Sequence, residues 1–173
     1  MIKIYPTVTI WEQESGLEGI YKQIEKSGRV CYQSVGNSPE VFFNRLVTSK
    51  HLSVLRHGTV YLVVPYNLES IINFYVGNPY SYTTFGADKI YITTNMQVIV
   101  DNKRQDDLMY MTSPAPEHEK RVTVDIICSI GISRELNRHR VDSIAEMSTR
   151  YCNFSKDKFC NELTFVIPSH LNE

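Results

Sequence analysis

Cysteine is scarce in this sequence and never closely paired. The four thiols are Cys31, Cys128, Cys152 and Cys160, and none forms a Cys-x-x-Cys spacing. Four cysteines spread over 173 residues are no disulfide scaffold, and without pairwise ligand spacing they propose no metal site. They read as reduced thiols of a cytoplasmic protein. Long apolar runs are also missing. No stretch approaches the roughly 20 residues that span a bilayer. The N-terminal MIKIYPTVTI has no basic region ahead of an apolar core, so the reading is a soluble, unexported chain with no membrane partner. Excess charge of either sign is absent as well. A formal net charge of −1 offers no global basic surface for nucleic acid and no acidic surplus of the kind that keeps chains unfolded. Any anion site therefore has to come from a local cluster. There is no internal repeat, low-complexity tract or linker.

What is present suits one domain, residues 1–173, with a core of ordinary size. Met1 to Ile10 alternates and reads as a strand. Gly16 to Gly28 sets Leu17, Ile20, Tyr21 and Ile24 at helical spacing, with glycine ending the helix. Ser38-Pro39-Glu40 opens a second helix, with serine as cap and an apolar face of Val41, Phe42, Leu46 and Val47. Gly58 to Pro65 is a strand, and Leu68 to Val76 a short helix. Asn78 to Asp101 reads as β-structure broken at Gly86-Ala87-Asp88, and Asp106 to Pro116 as a connector. Strand and helix compete over Val122 to Leu136. Phe159 to Ile167 reads as a final strand. The expected fold class is α/β (α+β), a central, mostly antiparallel sheet flanked by helices.

The densest polar cluster is SRELNRHRVDSIAEMSTRYCNFS, from Ser133 to Ser155. Two readings of it stay open. In the first it is a solvated face: Arg138 and Asp142 form an i,i+4 ion pair, and Ser143 with Glu146 makes a capping box at a helix start. In the second it is an anion site near a helix start. Guanidinium forks bind phosphate bidentately, and the hydroxyls of Ser148 and Thr149 stand beside Arg150.

The same residues resemble a known family. Arg138-His139-Arg140, seven residues, then Ser148 is similar to the RHR-x7-S signature of flavin-dependent thymidylate synthases. Three further blocks follow the family's order: Arg29-Val30-Cys31-Tyr32; His51-Leu-Ser53-Val-Leu-Arg56-His57; and Ser148-Thr149-Arg150-Tyr151 leading to Phe165-Val166-Ile167-Pro168. The resemblance covers roughly Gly16 to Pro65 and Arg121 to Pro168, and fits the thymidylate synthase-complementing-protein-like fold class.

The resemblance implies methylation of dUMP to dTMP, with methylenetetrahydrofolate as one-carbon donor and NADPH supplying reducing equivalents through FAD. It also implies a homotetramer with shared active sites and no catalytic cysteine. Carried over by position, Arg138, Glu146 and Ser148 take the catalytic roles. FAD would meet His51, Ser53, Arg138, His139, Arg140, Glu146 and Cys31. The dUMP site would comprise Glu135, Leu136, Asn137, Arg138, Glu146, Met147, Ser148, Thr149 and Arg150, with Arg150 on the phosphate. Glu135 and Ala145 stand where some members carry glutamine and asparagine. Members usually continue for several dozen residues past the Phe-Val-Ile-Pro strand and carry a late arginine there, whereas this sequence stops at Glu173 and has no arginine after Arg150. The expectation is thus a short relative or a fragment, with weaker FAD binding. The alternative function is a catalytically incomplete nucleotide- or flavin-binding or assembly module.

Overall fold

The structure is a computed structural model and describes residues 1–32, 36, 38–139, 142–148, 163–168 and 171. It is mixed α and β, as the α+β expectation has it. The chain divides into two compact units: residues 1–12, 28–35 and 122–173 form the first, and 13–27 with 36–121 the second.

The second unit holds the main core. Its sheet has strands β3 (Thr59–Pro65), β4 (Tyr82–Phe85) and β5 (Lys89–Asn95), in the order β3-β5-β4 and antiparallel throughout. Val60, Leu62 and Val64 pair with Thr94, Ile92 and Ile90. All six side chains are fully buried, so this face fixes the register: a slip of one residue would turn the whole row to the other side. Against the row pack Ile20 and Ile24 from helix α1 (Gly16–Tyr32), Phe43 and Leu46 from α2 (Pro39–Thr48), Ile72 and Tyr75 from α3 (Glu69–Gly77), and Met96, Val98 and Ile99 from α4 (Met96–Asp101). On the opposite face His118 sits edge-on to Tyr61 and Tyr91 and bonds the Leu62 carbonyl at 3.0 Å. His118 Nδ1 accepts from the Ala115 N–H, so Nε2 is the donor to Leu62.

Several sequence expectations change here. α1 runs through Gly28 to Tyr32; an interior glycine costs about 1 kcal/mol relative to alanine but does not stop a helix whose neighbours continue it. On α2 it is Phe43, not Val41, that turns inward, while Val41 is 64% exposed. Ser38 takes the cap position without a side-chain cap bond. The run expected to be β to Asp101 switches to helix at Met96, because the Asn95 carboxamide oxygen accepts the Val98 N–H and caps α4. The 105–110 connector is a 3-10 turn, Gln105–Tyr110. Both α2 and α4 end with a lysine in the left-handed region, Lys50 (φ 57°) and Lys103 (φ 54°). The next N–H, of His51 or Arg104, reaches back to Leu46 or Ile99, which closes each helix in a Schellman motif.

The first unit holds two small sheets. The expected N-terminal strand is split at Tyr5-Pro6 into β1 (Ile2–Ile4) and β2 (Thr7–Trp11), proline having no N–H to give a ladder. β1 pairs in parallel with β7 (Thr164–Val166), and β2 pairs antiparallel with β6 (Thr123–Ile127). The strand–helix competition over Val122 to Leu136 resolves into both: β6, then helix α5 (Ile130–Leu136). The expected start of the final strand, 159–162, lies outside the described residues. Among the described residues no helix is long and apolar enough to cross a membrane.

Candidate functional site

The polar cluster begins on α5, in the first unit. Ser133 and Asn137 are one helical turn apart and so share a face. Both reach the same carboxylate: Ser133 Oγ donates to Glu146 Oε1, and Asn137 Nδ2 donates to Glu146 Oε2 at 2.8 Å. Glu146 therefore has one donor on each oxygen. The residues from 143 to 148 are irregular, so the Ser143–Glu146 capping box does not form; Glu146 is spent on α5 instead. Burial, and then the Glu146 charge, push the neighbouring Cys128 thiol up from its ordinary value.

Arg138 follows the C-cap Asn137. Its Nη1 donates to Glu135 Oε2 at 2.9 Å, with both side chains well exposed. This replaces the expected pair with Asp142, whose backbone N–H instead closes a turn on the His139 carbonyl. Among the described residues, no helix starts between 142 and 148, and Arg138 and His139 stand just past the C-terminal end of α5. Basic side chains are favoured there by the helix dipole, while an anion gains nothing from it. His139 is exposed.

Ser148 is fixed through its backbone. Its N–H donates to the Cys31 carbonyl at 2.9 Å, in the last turn of α1, where helix carbonyls lack an intrahelical partner. Two sequence blocks far apart in the chain, around Cys31 and around Ser148, are joined by this bond. Leu136 and Met147 are half-buried. Arg140, Thr149 and Arg150 lie outside the described residues.

His51 and Ser53 belong to the second unit. His51 is exposed, and its N–H completes the end of α2. Ser53 is exposed on the 3-10 turn Leu52–His57. That turn is pinned by Arg121, whose Nη2 donates to the Arg56 carbonyl at 2.9 Å and whose Nη1 reaches Thr59 Oγ1 and the Thr94 carbonyl at 3.4 Å. Burial lowers the Arg121 pKa from its ordinary value, and burial with the Arg121 charge brings His57 down to about 4.

Reading the sequence missed Ser133 as the partner of Glu146; the i,i+4 relation of Ser133 and Asn137 was the available signal. It missed Arg121 too, for which a Lys120-Arg121 pair in a polar stretch gives none. Among the described residues no group of three or more His, Cys, Asp or Glu is placed to hold a metal.

A comparison with protein-family models matches the chain over residues 81–173, slightly more than half of it, to the thymidylate synthase complementing protein family. No curated protein and no solved structure matches it.

Proposed function

The chain belongs to the thymidylate synthase complementing protein family, which makes it a thymidylate synthase-type enzyme, and we propose that its reaction is the flavin-dependent methylation of dUMP to dTMP. In this reading methylenetetrahydrofolate gives a one-carbon unit to the pyrimidine and leaves as tetrahydrofolate, and NADPH is oxidised to NADP+. FAD, when bound, supplies the reducing equivalents that bring the transferred carbon to a methyl group.

The residues present fit such a cofactor and nucleotide. Arg138 is exposed, and among the described residues it uses only Nη1, on Glu135, which leaves Nε and Nη2 for a ligand. His139 stands exposed beside it. Arg138 and His139 would hold the flavin. Arg138 would also face the pyrimidine, where a fixed cation offsets negative charge that develops during transfer. Asn137, Ser148 and Glu146 would position the nucleotide. The observation that carries the reading is the double clasp on Glu146. A carboxylate with one donor on each oxygen is oriented before a ligand arrives, and Asn137 and Ser133 keep an acceptor edge in a constant place for a ring N–H or a sugar hydroxyl. The phosphate falls to Arg150, whose place directly after Ser148-Thr149 sets a guanidinium beside two hydroxyls. Assembly of several copies, with sites shared between them, completes the proposal.

The test is the purified chain with dUMP, methylenetetrahydrofolate, NADPH and FAD, followed by chromatographic detection of dTMP. Flavin binding with turnover that collapses in Glu146→Gln is the expected result. Binding of FAD and dUMP without turnover would favour the incomplete binding module. Absence of both bindings would overturn the reading.

A further inference from the structure

A second polar site lies wholly within the second unit and shares no residue with the Ser133–Ser155 cluster. It is a cavity of about 310 Å³ whose lining includes Arg56, Asn78, Asn95, Gln97, Asp101 and Asn102, at the lower end of the sizes that hold small ligands. We propose that this cavity binds the oxyanion group, carboxylate or phosphate, of a small molecule.

The guanidinium of Arg56 is held ready. Its Nε donates to Gln97 Oε1, and Gln97 Nε2 donates in turn to Asp101 Oδ2 at 2.8 Å. Its Cζ lies over the Tyr80 ring, 5.4 Å from the centroid, a cation–π contact that helps to hold the group in place. No acceptor among the described residues takes either Nη of Arg56. A fork held in place with both tines open matches the two-oxygen edge of an oxyanion.

Asn95 and Asn78 are turned as donors and the backbone dictates how, whereas Asn102 is turned the other way, its Nδ2 donating to the Val98 carbonyl at 2.9 Å. Asn95 is only 4% exposed, and its Oδ1 is committed to the Val98 N–H as the cap of α4. Its NH2 group is left on the cavity side of that bond with no protein acceptor among the described residues. Asn78 Oδ1 is likewise committed, to the Tyr80 N–H at 2.9 Å and to Ser81 Oγ at 3.2 Å, which leaves its NH2 group open. Two carboxamides with their oxygens spent, plus one unspent guanidinium fork, bring three donor groups to one cavity. Asp101 is engaged by Gln97 and sets the charge limit: with one arginine and one carboxylate at the site, a singly charged oxyanion is favoured over a dianion.

The experiment is a titration of the 15N-labelled full chain with sodium acetate and, separately, with sodium phosphate, at ionic strength held constant with chloride. The signals followed are the Arg56 Nε–H and the side-chain amides of Asn78 and Asn95. Saturable shifts of these three signals with one dissociation constant are expected. Saturation by acetate alone identifies a carboxylate-bearing ligand, and by phosphate alone a phosphate-bearing one. Asn95→Asp is the sharper variant, since aspartate caps a helix as well as asparagine but sets an acceptor where the donor stood. It should keep the melting temperature and weaken binding by about tenfold or more. Arg56→Gln should do the same to binding, and it decides the matter if Asn95→Asp does not fold. Shifts that do not saturate with either anion, or that persist unchanged in both variants, overturn the proposal.

Discussion

His57 gives the fold a dependence on pH whose sign and size follow from its surroundings. The ring is largely buried, and the nearest charge is the Arg121 guanidinium. Arg121 is anchored on the Arg56 and Thr94 carbonyls and on Thr59, so it cannot swing away to make room for a second cation. Burial first and Arg121 second hold the imidazole neutral, with a pKa of about 4 against an ordinary 6.5. The unfolded chain takes up its proton as the pH falls below about 6.5, while the folded chain does not until about 4. Stability is therefore complete above the unfolded value and is lost as pH falls toward the folded one. The loss from this group comes to about 2 kcal/mol at pH 5 and levels near 3 kcal/mol below pH 4. The assay is urea unfolding of the native chain and of His57→Gln at neutral pH and at about pH 5. Other titrating groups are common to both proteins, so the difference between the two pH-induced losses isolates His57. The variant should lose about 2 kcal/mol less than the native chain over that interval. Equal losses in the two proteins would refute the reasoning.

Three more outcomes are expected. Asp107 is buried between the Tyr75 hydroxyl at 2.9 Å and Arg104 Nε at 2.6 Å, and Arg104 Nη2 has no hydrogen-bond partner among the described residues; Asp107→Ala should destabilise by about 3–5 kcal/mol by denaturant unfolding, with Asp107→Asn recovering part. A Cβ on Gly58 would stand 2.7 Å from Ile24 Cδ1 and 2.8 Å from Ile20 Cγ2, both side chains buried in the core, so Gly58→Ala should lower stability by about 1–3 kcal/mol in thermal melts. Arg150→Ala should weaken dUMP binding by about ten- to a hundredfold in calorimetric titration and leave FAD affinity far less changed, with Arg150→Lys restoring only part; equal loss of both affinities would reject the assigned division of the cluster.

What could be read in advance was what local pattern decides. Val60, Leu62 and Val64 alternate within a glycine- and proline-bounded run, so β3 was plain. The spacing of Ile20 and Ile24 announced α1. Gly86-Ala87-Asp88 marked the β4–β5 turn. The family, too, was carried by short blocks whose order the chain preserves. Elements set by side-chain bonds to the backbone were harder. Nothing in the β-branched run from Ile90 to Val100 says that Asn95 will stop a strand and cap a helix. At the cluster, the i,i+4 geometry of Arg138 and Asp142 assumes a helix that has already ended at Leu136, and the S-x-x-E pattern at Ser143 assumes a helix start where residues 143–148 are irregular. Arg138 therefore turns back to Glu135, and Glu146 to Ser133 and Asn137. Long-range choices of this kind depend on which partner the backbone brings near, and composition does not hold that information.

The strand order of the larger sheet bears on how the chain folds. β5 arrives last of the three yet stands in the middle, so β3 has no partner until α3, β4 and the turn at 86–88 have been made. The local step open to the chain is closing the β4–β5 hairpin, which β3 then joins from a long way off in sequence, with the loop entropy of that closure falling on its docking. Substitutions in the 86–88 turn should act chiefly on the refolding arm of a chevron, and those along β3 on the unfolding arm. An arrangement that looks symmetric across β5 in the finished sheet is thus assembled from one side.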